Sequence, residues 1–130
     1  MFIQNLNIIQ QAALIAFAKQ IISIDGHVDG KEELMLDNIR LQCDVLVNVE
    51  SNIGLGELAN IFEHHHQKVS FMLELIGIAH ADETYQETEK TFIGQIAEAL
   101  DISSSLLNDL ENWVMRQIIL VKESSLLMEI

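Results

Sequence analysis

An all-α fold is predicted by two observations. Apolar residues recur at helical rather than alternating spacing almost everywhere, and β-branched runs bounded by turn residues are scarce. At 130 residues and 14.7 kDa, 49% apolar and without proline, the chain has the size and composition of one compact domain spanning residues 1–130. The spacing first predicts a helix from about Leu6 to Ile24. Leu6, Ile9, Ala13, Phe17, Ile21 and Ile24 mark one face, and further apolar residues nearly encircle it, as in a helix packed on several sides. The loop Asp25-Gly26-His27-Val28-Asp29-Gly30 ends it. Asp29 and Glu32 then form a capping-box pattern that opens a second helix running to about Gln42, with Leu34, Met35, Leu36, Ile39 and Leu41 inward.

Asp44 is placed to cap a short segment through about Val49, and Ser51 to Gly56 is turn chemistry. Another helix is expected from about Leu55 to His64. Val69 to Ala81 repeats the all-round apolar character of the first helix, and Glu87 to Leu100 forms its partner. Ser103 to Ser105 offer N-caps for a last helix bearing Leu106, Leu107, Leu110, Trp113, Val114 and Ile118. The pattern carries this helix to about Lys122.

The halves match without a gap at an offset of 57 residues. Leu14 falls on Phe71, Ile21 on Ile78, Asp25 on Asp82, Glu32 on Glu89, Ile39 on Ile96 and Asp44 on Asp101. The expected architecture is therefore a single-domain helical bundle of two helix–acidic loop–helix units, about residues 11–45 and 68–102, related by a pseudo-twofold axis, with connecting and C-terminal helices.

Seven Lys and Arg against twenty Asp and Glu give a formal charge of −13, which argues against nucleic acid and anionic membrane surfaces and favours cations or a protein partner. Cys43 is the sole cysteine, so no intrachain disulfide forms. The opening residues have no basic region, and their longest apolar run, Ala12 to Ala18, is too short to span a bilayer. The expected location is cytoplasmic.

The stretches Ala18 to Glu32 and Ile78 to Glu89 resemble the TerB-like family of tellurite-resistance proteins, in which an alanine-rich helix ends in Ala-Asp-Gly with a Glu following. The resemblance covers roughly Gln11 to Ser105. It implies an all-helical fold, a stress-response setting and an acidic site suggested to hold a metal ion. The sequence departs from that pattern at Ile24, where the family has a small residue, and at Glu83, where it has glycine, so the second loop is expected to differ in shape.

The metal candidates are Asp25, Glu32, Asp82 and Glu89, an all-oxygen set suited to Ca²⁺, Mg²⁺ or Mn²⁺. The competing reading is that these carboxylates only cap helices, in a domain that serves as a helical protein–protein interaction module. Asp25, His27, Asp29 and Gly30 mimic the opening of a calcium loop, but position 12 is Leu36, which excludes an EF-hand. Glu63-x-x-His66 has no second copy, so a di-iron bundle site is excluded. His64, His65 and His66 are expected near a helix C-terminus as dipole partners. His80 and Trp113 read as core or rim residues, Cys43 as packed at a helix end, and Gly54-x-Gly56 as a turn. No nucleophile–base pair is legible, and the domain is expected not to be an enzyme.

Overall fold

The computed structural model describes residues 2–24, 30–44, 46–48, 52–80 and 85–129, without the side chains at 31, 32 and 35. Among the described residues there are six α-helices and no strand: α1 (Ile8–Ser23), α2 (Gly30–Gln42), α3 (Leu58–Ile61), α4 (His65–Ala79), α5 (Glu87–Ala99) and α6 (Ser104–Met128). The chain is all-α.

Asn7 starts α1 through a capping box. Its side chain accepts from the Gln10 backbone N–H at 2.9 Å, and the Gln10 side chain accepts from the Asn7 N–H at 3.0 Å. Leu6, which the periodicity placed inside the helix, lies just before that cap and is still buried. The α1 helix is enclosed on nearly every side from Gln10 to Ala18 and at Ile21 and Ile22, because α2, α3 and α4 all pack on it.

Three phenylalanines join the helices. Phe17 of α1 lies 6.0 Å from both Phe71 of α4 and Phe92 of α5, the first edge-on and the second stacked. Two buried glutamines complete α1. Gln10 donates to the Ile61 carbonyl and to the Gln67 side chain, while Gln11 donates to the Leu6 carbonyl and accepts from the Asp44 N–H at 2.8 Å. Burial without such partners would cost about 1–3 kcal/mol per group.

Several expectations fail locally. Ile9 is 63% exposed, and Leu34 and Leu41 on α2 are 64% and 83% exposed rather than inward, so the apolar stripe is narrower than the pattern implied. Asp44 makes a turn, accepting from the Leu46 N–H at 2.9 Å, and no helix is seen at Leu46–Asn48.

The segment expected to be a helix from Leu55 to His64 is a 3₁₀ turn followed by the four residues of α3. Phe62 then takes extended backbone and buries its ring against Phe71 at 4.7 Å. That break moves the histidines. His64 is the N-cap of α4 and His65 and His66 lie in its first turn, so they meet the positive end of the dipole and the expected favourable pairing is wrong.

The α5 helix ends in a Schellman arrangement, with Ile102 N–H on the Ala97 carbonyl and Asp101 N–H on the Glu98 carbonyl, and Asp101 at a φ of 58°. Ser103 caps α6 by accepting from the Leu106 N–H, and α6 packs across α4 and α5. It continues past Lys122, the bound that the pattern gave, to Met128.

Candidate acidic site at the start of helix α5

Of the four candidate ligands, Glu89 is described in full. It occupies the third position of α5 and is 1% exposed. Glu32 lies within α2, but its side chain, together with Asp25, Asp82 and the Asp29 capping partner, is outside the described residues. The structure therefore brings one member of the set into view.

Gln86 is the N-cap of α5, and its side chain makes no capping hydrogen bond. The dipole at this helix start favours the Glu89 carboxylate.

Beside Glu89 stands Tyr85. Its ring packs on the His80 imidazole at 4.1 Å, and its hydroxyl donates to Glu111 Oε1 at 2.8 Å. Burial, the hydrogen bond to Glu111 and the negative charges of Glu111, Glu89 and Glu87 hold the phenol far above its ordinary value. Three carboxylates from two helices thus act on one tyrosine. Glu111 escaped sequence analysis because it sits on α6, outside both units. The only available signal was its place one turn beyond Leu107, on the flank of the apolar stripe.

A cleft beside this region is lined by Ile24 together with Glu87, Thr88, Thr91 and Phe92. The chain thus leaves the described part of α1 against the first turns of α5. Among the described residues no group of three or more His, Cys, Asp or Glu is placed to hold a metal ion.

The remaining reactive side chains are dispersed. Cys43 is half-buried, and burial followed by the charge of Glu74 raises its thiol pKa, which keeps it protonated. His64 and His66 stack on each other at 6.0 Å on the surface. Gly54 donates its N–H to the Glu57 carboxylate at 2.7 Å, so the Gly54-x-Gly56 stretch is a turn. Trp113 is half-buried, edge-on to Phe2 at 5.6 Å.

The fold and this region define an all-helical domain with carboxylates gathered at the start of one helix. Residues 47–112, half of the chain, match the family described as tellurite resistance protein TerB. The chain belongs to the TerB family. The match includes α4, the second acidic segment and α5, whereas the first acidic segment lies outside it. Comparison with curated proteins and with solved structures finds no match.

Proposed function

We propose that this TerB-family domain acts as a non-catalytic, cytoplasmic tellurite-resistance and stress-response domain that takes one divalent cation between Asp25, Glu32, Asp82 and Glu89. The observation that carries the reading is Glu89. A carboxylate 1% exposed in a chain of net charge −13 needs strong compensation, and an all-oxygen donor set suits a hard cation such as Ca²⁺, Mg²⁺ or Mn²⁺. The ion would offset the mutual repulsion of the carboxylates and link the two acidic segments.

A two-unit, pseudo-twofold arrangement would bring the segments together. It is supported by the helix starts: α1 and α4 begin at 8 and 65, and α2 and α5 at 30 and 87, each 57 residues apart (65 − 8 and 87 − 30). The cleft between Ile24 and α5 also supports it, since the chain enters the first acidic segment beside the helix that carries Glu89. A helical protein–protein interaction module, its carboxylates serving only as caps, is the second reading. The half-buried Trp113 and the exposed apolar side chains of α6 favour it. The net charge weighs against nucleic acid and direct membrane binding. Among the described residues no helix is long and apolar enough to cross a membrane.

Thermal and urea unfolding with added Ca²⁺, Mg²⁺ or Mn²⁺ tests the proposal. An ion at about one hundred times its dissociation constant should stabilise the fold by about 2.7 kcal/mol. The double variant Asp25→Asn, Asp82→Asn should lose that gain while matching or exceeding wild type in metal-free buffer. If no divalent ion raises the wild-type melting temperature beyond the effect of matched ionic strength, the metal reading fails and the interaction module takes its place.

A further inference from the structure

The second half of α6 is a different kind of surface from the rest of the molecule. At 25 residues the helix is about 37 Å long, against about 22 Å for the 15-residue α4 on which it packs. Its buried side chains are Leu110 and Val114, and Ile118 is the last apolar one that packs on the core. Ile119, Leu120, Val121, Leu126, Leu127 and Met128 are all between 50% and 83% exposed.

These six point in several directions around the helix, and a helix apolar on most sides is one that packs against something. Ten residues of unpacked helix would also be marginal in water.

Charge selects the occupant. In a chain of −13, residues 115–129 carry Arg116 and Lys122 against Glu123 and Glu129, a net charge of zero. A second copy can approach here without meeting the repulsion that the acidic body presents elsewhere. An antiparallel approach also leaves the two acidic bodies at opposite ends. A two-helix contact covers one side of the segment, where Ile119, Leu120, Leu126 and Leu127 share a stripe about 120° wide, and it buries on the order of 400 Å² per copy, the size of a weak interface.

We propose that the end of α6 is the interface of a twofold homodimer, in which the last turns of two α6 helices pack antiparallel. The interface is isologous, so each copy gives and receives the same side chains and assembly stops at two. It is independent of the cation reading, since no residue of the acidic set takes part.

Sedimentation equilibrium of the full chain over about 1–500 μM tests it, spanning the affinities of small apolar interfaces. The mass should double from 14.7 kDa with rising concentration and depend little on added NaCl, because the contacting segments carry no net charge and the acidic bodies lie at opposite ends. Ile119→Glu with Leu126→Glu should stay monomeric throughout. Fluorescence of the sole tryptophan, Trp113, should be unchanged, showing that the body remains folded.

Orientation is read separately, from spin labels on Asn108→Cys in a Cys43→Ser background. They should lie about 40 Å apart in the antiparallel pair, against about 10–15 Å if the helices ran parallel. A wild-type chain that stays monomeric at every concentration, assembly beyond two copies, a dimer indifferent to the glutamates, or a short label distance each overturns the proposal.

Discussion

The hairpins α1–α2 and α4–α5 bury the same pattern with different thoroughness. Leu14 and Phe71, Ile21 and Ile78, Leu36 and Ile93, and Ile39 and Ile96 stand 57 residues apart in pairs, and all eight are buried. Yet α5 also has α6 packed against it and encloses a carboxylate, while α2 presents Leu34 and Leu41 to solvent. The register explains which leucines those are. Leu34 falls on Thr91, Leu41 on Glu98, and the exposed Ile9 on His66, each an exposed polar residue in the second half. At these three positions the polar residue of the second hairpin marks the outward face of the first.

The largest expected effect tests whether the hairpins are equivalent. Ile21→Asp and Ile78→Asp each place an unpaired charge at a fully buried site, and each should cost more than about 3 kcal/mol, read as loss of the urea midpoint. One variant unfolding early while the other melts like wild type would break the equivalence.

A second measurement sharpens the difference at the loops, where Tyr85 stands in register with Val28. Tyr85 is the sole tyrosine, so alkaline absorbance reads it alone. Its native pKa lies above the ordinary value of 10.0. The folded state therefore keeps a proton that the unfolded chain releases, and stability should decline as pH rises above about 10. Tyrosinate absorbance should appear together with loss of helical circular dichroism. Reversible ionisation near pH 10 with the helices intact would contradict the buried hydrogen bond to Glu111.

The smallest effect concerns the helix starts. His64 occupies in α4 the register of Asn7 in α1 and makes no capping hydrogen bond, and Gln67 stands where Gln10 completes the box. His64→Asn should stabilise the domain by about 0.5–1 kcal/mol in urea unfolding. A loss of stability would mean that the bond between Gln10 and Gln67 prevents Gln67 from serving as the partner.

Helix identity was legible because long 3.6-residue apolar patterns at Ile8–Ser23, His65–Ala79 and Glu87–Ala99 leave little ambiguity. The break between α3 and α4 was not. Phe62 reads as one more helical apolar residue, and its extended backbone is set by the buried ring of Phe71, a tertiary contact. Of the candidate site, Glu89 was legible as a carboxylate in the first turn of a helix, because that pattern is local. The site's link to α6 through Tyr85 and Glu111 joins residues 26 positions apart, and no local spacing encodes it.

The central claim is that both acidic segments contribute to one cation site, and calorimetric titration of metal-free protein with Mn²⁺ tests it most directly. One ion should bind per chain, and either Asp25→Asn or Asp82→Asn alone should weaken binding by at least about tenfold, a loss of about 1.4 kcal/mol from one shared site. Absence of binding, two independent sites, or a loss confined to one of the two variants would contradict it.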